Sequence, residues 1–336
     1  MTPTPSVIPT ITPSPTPFSI QRFPLPGAIL TCTWTARIIP INGFKFIFPA
    51  LLFFSAALPA APVRVLVWDE QNPAQTNVYP HYIASQIASY LKTLPDLSVT
   101  AAGLGDTNEG LADELLTNCD VLVWWSHVKN KQVPEEKAKE IVERVKDGEL
   151  SVIFLHSAIT SRPFIEMMNE RTREDAAKTI PAGVKTEFVL PAAYKDPLPT
   201  DPITPRIEMT NAPDGSPLAR VFLPICEITS WHEAGIPSHM TAVLPEHPIA
   251  RGVPAEFDIA QTEIYVEPFH VPKPDAVLFE ETWDSSPMFR SGMLWTVGKG
   301  KVFYFRPEHE TFPGYFNPNV LKIIGNAAEW LGGNNP

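Results

Sequence analysis

Three histidines stand just beyond apolar runs: His127 after "VLVWW", His156 after "VIFL", and His309 in "FRPEHE" after "KVFYF". Carboxylates accompany them, with Glu310 beside His309, Asp69 and Glu70 closing "VRVLVWDE", and Glu233 in "WHEA". Two chemistries suit such a set. Neutral imidazoles together with Glu233 or Glu310 can ligate a divalent metal such as zinc, which polarises a carbonyl or hydroxyl; His127, His156 and His309 are the candidate ligands. The same groups can act without metal as general acid and base, because histidine titrates near neutral pH and a carboxylate can orient its ring. No HExxH or other short-spaced ligand pair occurs, so the residues alone leave both open.

Arg306, also at a strand end, can clamp an anion or a sugar hydroxyl, or pair with Glu308 or Glu310 as structural support. Tyr79 and Trp125 can wall a sugar ring or simply fill the core. A serine nucleophile is not expected. The place for one carries "LHSAIT" without a Gly-x-Ser-x-Gly pattern, and Ser157 follows His156 directly, so the two side chains should diverge.

The elements that must position these residues are legible in the apolar pattern. "VRVLVWD", "LSVTAAGL", "CDVLVWWSHV" and "LSVIFLHS" read as strands, the apolar ones covered on both faces. Helices fall between them. Ile83, Ile87 and Leu91 follow Pro80, and Ala138, Ile141, Val142 and Val145 recur at helical spacing between Pro134 and Gly148. A further helix runs from Pro163 past Met168. The βαβαβαβ order predicts a parallel sheet with helices on both faces, whose ligands bind beyond the carboxyl ends of the strands. Residues 180–225 dissolve into Pro-rich text such as "KDPLPTDPITPR" and read as an insertion over the site or at an edge. Strands resume near Glu263–Val266 and Ala276–Glu280, "MFRSGMLWTVGKGKVFYFRP" reads as a hairpin turning at Gly298 to Gly300, and Pro318 opens a last helix that Gly332 ends.

The chain has 336 residues, 44% hydrophobic and 19% charged, with a net charge of −11, a globular composition that argues against nucleic acid as a partner. Residues 1–40 include "TPTPSVIPTITPSPTP", expected to be disordered or a non-native extension. Residues 41–60 carry Lys45, an apolar run and small residues, the layout of a signal peptide. That run is shorter than the roughly 20 residues of a spanning helix. A periplasmic or secreted domain over residues 61–334 is therefore expected, with no membrane span after cleavage. Cys119 opens an apolar strand and reads as a buried thiol rather than half of a disulfide.

The segments "VWDEQNP", "CDVLVWWSHV", "VIFLHS", "WHEA", "PEHPIARGVP", "TEIYVEPFHVPKPD", "FRSGMLWTVGKGKVFYFRPEHETFP" and "NPNVLKIIGNAAEWL" together resemble the ThuA-like, or trehalose-utilisation, family. The resemblance implies a flavodoxin-like fold of the class I glutamine amidotransferase type. The position of that superfamily's nucleophilic cysteine looks like His156-Ser157, so glutaminase chemistry is not expected. His127, His156, Glu233, Glu263, Tyr265, Arg306, His309 and Glu310 fall in the matching motifs, with Glu263 and Tyr265 joining Tyr79 and Trp125 as candidate substrate contacts. The implied substrate is a sugar or 3-keto-sugar derivative; for such a substrate the histidines suit proton abstraction beside a carbonyl, in an isomerisation, elimination or hydration. A non-catalytic carbohydrate-binding module on a degenerate fold is the alternative, and self-association into a homo-oligomer is allowed for.

Overall fold

Strand β1 (Val63–Asp69) is apolar from Val65 to Trp68, where both of its faces are covered. Val65 and Val67 enter one core, and Leu66 and Trp68 the other, as the two-residue period of a strand requires. In the computed structural model, which describes residues 61–192, 197–284 and 286–333, this strand lies in a nine-stranded sheet, second from one edge. The expected leader and Pro/Thr run lie outside the described residues.

The first half of the sheet holds β2 (Leu97–Gly103), β1, β3 (Val121–Trp125), β4 (Ser151–Leu155) and β12 (Gly300–Phe305), all parallel. With β12 in fifth place this is the 2-1-3-4-5 order of flavodoxin-like sheets. Helices α1 (Tyr82–Leu91) and α5 (Pro318–Gly332) pack on one face; α3 (Glu135–Asp147) and α4 (Arg162–Thr179) pack on the other, and a single short turn, α2 (Asp113–Thr117), joins β2 to β3. The caps are those the sequence carries. Asn317 accepts from the Asn319 and Val320 amides ahead of α5, and Gly148 ends α3 at φ 80°. Gly298 (φ 58°) turns the hairpin that leads into β12 against the same helix end, where an added Cβ would collide with the Lys146 carbonyl oxygen.

The sheet continues past the expected parallel strands, beginning with the hairpin read at Gly298 to Gly300. Beyond β12, the strands β11 (Ser286–Val297), β10 (Ala276–Trp283), β8 (Ser230–Ala242) and β9 (Glu256–Val266) are antiparallel neighbours. Register shifts interrupt the β10–β11 and β8–β9 pairings, and such bulges bend and twist a sheet. The bend is large. In a flat sheet β9 would lie about 19 Å from β12, four strand spacings of roughly 4.8 Å. Instead the Arg306 side chain, just past β12, donates to the Glu263 carbonyl of β9 at 3.0 Å, so the far edge returns over the parallel strands' ends.

Residues 180–225 are not the patternless text they resemble. They contain a separate sheet of β5 (Lys185–Val189), β7 (Pro217–Phe222) and β6 (Arg206–Asn211), in that order. Most side chains of β5 and β6 are exposed, so no apolar alternation marks them. Cys119 and Cys226 are free and buried. Among the described residues no helix is long and apolar enough to cross a membrane.

Candidate functional site

Parallel register brings the site together. Asp69 is level with Trp125, Trp125 with Leu155, and Leu155 with Phe305. The residues that follow, Glu70, Ser126-His127, His156 and Arg306, therefore emerge side by side on one rim. Glu70 is buried and holds the loop after β3: its carboxylate accepts from the amides of His127, Val128 and Lys129 at 2.8, 3.0 and 2.7 Å. Asn130 ties that loop to the one after β4, donating to the His127 carbonyl at 2.7 Å and the Ser157 carbonyl at 3.0 Å.

His156 occupies the sharp turn between β4 and the following 3₁₀ turn, at φ 55°. A left-handed conformation costs a non-glycine residue on the order of 1–3 kcal/mol and is found mostly where a site requires it. It also alters the expected divergence of His156 and Ser157. Both reach the Tyr265 hydroxyl, His156 through Nδ1 at 3.5 Å and Ser157 through Oγ at 2.6 Å.

The three imidazoles form a triangle, with ring centroids 5.3 Å apart for His127 and His156, 4.9 Å for His127 and His309, and 5.4 Å for His156 and His309. Glu310 completes the group. Its Oε2 lies 2.8 Å from His127 Nδ1 and 3.6 Å from His309 Nε2, and its Oε1 accepts from Asn72 at 2.8 Å. His309 Nδ1 meets Thr311 Oγ1 at 2.7 Å, which turns Nε2 inward. Opposite them, Glu263 Oε2 lies 3.6 Å from His156 Nε2, and both atoms are buried without a hydrogen-bond partner.

Burial disfavours the charged form of each group, and neighbours decide the outcome. For His127 burial pulls downward, but the hydrogen bond and charge of Glu310 outweigh it and hold the ring above its ordinary value. Burial pushes Glu310 up, yet its bond to His127 holds it below the usual carboxylate range. His156 is driven well below the imidazole value by burial and then by His127 and His309. Burial also lowers His309, with Glu310 opposing. Burial pushes Glu263 up to about 7 against the charges of His127 and Arg306, and Glu308 up to about 8 against that of Arg306.

Glu308 thus keeps its proton in the folded protein over a range in which the unfolded chain, near 4.5, has lost it. The resulting stabilisation is complete below about pH 4.5 and is lost as pH rises through about 8. Glu263, and Asp69 at about 6, contribute with the same sign. Glu308→Gln, which keeps an acceptor for the His309 amide, should raise the melting temperature at pH 8.5 and leave it nearly unchanged at pH 4.5. Equal melting shifts at the two pH values would contradict this.

The remaining sequence candidates lie elsewhere. Arg306 is fully buried, and its guanidinium makes a bidentate pair with Glu281 of β10, not with Glu308 or Glu310. Tyr79 is a buried brace, donating to the Phe312 carbonyl at 2.5 Å and accepting from the Tyr315 amide at 3.1 Å. Trp125 stacks beneath His156 with its Nε1 on the Glu308 carbonyl, so it floors the cluster rather than walling a ligand. Glu233 is an exposed rim residue that accepts from Thr311 Oγ1 at 3.3 Å and reaches His309 and Glu263 through its charge. Asn72, Thr311 and Trp231 were not among the candidates. Asn72 follows the end of β1 by three residues, a rim position that could have marked it.

A cleft of about 190 Å³ opens on the cluster, lined by His127, Ser157, Thr160, Trp231, Glu263 and Tyr265 among others. It is smaller than the roughly 300–1,000 Å³ of pockets for drug-sized ligands. A roomier hollow of about 470 Å³ lies against the three-stranded sheet, but its lining carries no histidine and one carboxylate, Asp201. Volume alone does not mark the chemistry.

A family model described as trehalose utilisation, ThuA, matches residues 64–331. Among solved structures, a ThuA-like protein from Parabacteroides merdae is similar at 15% identity and a TM-score of 0.49, over 81% of this chain and 90% of its own. A second ThuA-like protein, from Bacteroides uniformis, is similar at 14% identity and a TM-score of 0.47, over 83% and 95%. A cytoplasmic protein from Salmonella typhimurium gives 14% identity and 0.42, over 80% and 99%. No curated protein matches the chain.

Proposed function

Because the chain belongs to the ThuA, or trehalose-utilisation, family, we propose that it is an exported enzyme of carbohydrate catabolism that moves a proton beside the carbonyl of a keto-sugar. The observation that carries this reading is Glu263. Its carboxylate is buried with Oε2 lacking a hydrogen-bond partner, borders the cleft, and is pushed up by burial to about 7, where a general base is most effective near neutral pH. A ketone acidifies its neighbouring C–H, so the protein needs a base for that proton and a positive group for the oxygen that gains charge. Glu263 supplies the first, and the imidazole cluster facing it supplies the second. Tyr265 and Ser157, joined by a 2.6 Å hydrogen bond at the wall of the cleft, would hold a sugar hydroxyl. Export rests on the signal-like residues 41–60.

The test is proton exchange in deuterated buffer. The protein should incorporate deuterium next to the carbonyl of a 3-keto-glycoside, followed by NMR, and leave the corresponding unoxidised glycoside untouched. Saturable binding of keto-glycosides with neither exchange nor product, both without and with added zinc or manganese, would sink the enzyme reading in favour of a binding module.

A further inference from the structure

We propose that His127, His156, His309 and Glu310 form a mononuclear centre for a first-row divalent transition metal such as zinc. This rests on the reading of the cleft as a site of proton chemistry and gives that chemistry its electrophile. Among the described residues this is the one group of three or more such side chains whose potential ligand atoms converge, all within 4.8 Å of one another. A tetrahedral ion with bonds of about 2.1 Å needs its ligand atoms about 3.4 Å apart. The observed 2.8 Å from His127 Nδ1 to Glu310 Oε2 and 3.6 Å from His309 Nε2 to the same oxygen bracket that value.

Two features point to a ligand rather than to a self-sufficient hydrogen-bond network. First, His156 is fully buried and its Nε2 has no partner. A buried polar atom left unpaired costs on the order of 1–3 kcal/mol, and a bound cation would satisfy it. Second, the outward ring nitrogens of His309 and His156 are already held. His309 Nδ1 is bonded to Thr311 Oγ1, which reaches on to Glu233 at 3.3 Å, and His156 Nδ1 meets the Tyr265 hydroxyl. Metal-binding histidines are oriented in this way by a partner on the other ring nitrogen. At His127 and Glu310 a cation would take the place of the shared proton. Three imidazoles and one carboxylate favour zinc, manganese or iron over magnesium or calcium, which prefer all-oxygen shells. Glu263 stays outside the ligand set, 3.6 Å from His156, free to act as the base.

The experiment is metal binding by the full chain, stripped with EDTA and titrated with zinc or manganese by calorimetry, with bound metal counted by elemental analysis after desalting. One equivalent per chain is expected. His309→Ala and Glu310→Gln should lose it, and Thr311→Val should weaken it by about 10–100-fold. Circular dichroism and thermal melts identify any variant that fails to fold, and His309→Ala, in a loop, serves if His156→Ala does not fold. Failure of the folded wild-type protein to retain either metal, or binding unchanged in both His309→Ala and Glu310→Gln, overturns the centre. Keto-sugar exchange by verified metal-free protein overturns the centre's role as the electrophile, while leaving the proton chemistry standing. Stoichiometric metal lost in those variants but without any exchange supports the centre and overturns the proton chemistry alone.

Discussion

Glu263→Gln should lower the rate of keto-sugar proton exchange by about 10²–10⁴-fold, the usual contribution of a positioned general base. The amide nearly matches the carboxylate in shape, so substrate affinity should change little and the loss should fall on kcat. The pH dependence gives a second readout. Only the ionised carboxylate can take a proton, and burial raises the pH at which Glu263 ionises, so the wild-type rate should rise with pH through that titration and then level off. The variant should lose that rising limb. Retention of both the rate and the limb would show that some other group takes the proton.

Arg306→Ala should destabilise the fold by about 3–5 kcal/mol, read as a lower midpoint in urea or thermal unfolding. Arg306 and Glu281 are both fully buried, and the guanidinium also serves the Glu263 carbonyl. Removing the arginine would leave the Glu281 carboxylate in the interior with only the Ser291 hydroxyl, at 2.9 Å, as a donor. The penalty comes from the orphaned charge rather than from the strength of the pair. Arg306→Met combined with Glu281→Leu should therefore recover most of the loss, because a buried ion pair can often be exchanged for apolar packing at little cost. A loss below about 1 kcal/mol in the single variant would contradict this account. The effect on catalysis should be secondary, through the placement of β9 and with it Glu263.

What the sequence by itself determined is local in origin. Strands such as Val121–Trp125 and Ser151–Leu155 and helices such as Glu135–Asp147 announce themselves through apolar periodicity, caps and glycine stops. Once those strands are parallel neighbours, their ends must share a rim, and the meeting of His127, His156 and His309 follows from that alone. Tertiary structure decided whatever depends on contacts across the sheet. Arg306 found its partner in Glu281 because β10 folds back beside β11 and the Arg306 end of β12, whereas the nearer Glu308 and Glu310 were the natural guess from spacing. Tyr79 and Trp125 became braces and floor because the loops after β12 close over them. Glu263 reached the histidines from the far edge of the sheet only because the antiparallel half curls, and curvature arises from bulges in strand pairing that no residue period records. The opposite case is the three-stranded sheet within residues 180–225, whose exposed strands carried no apolar pattern to read.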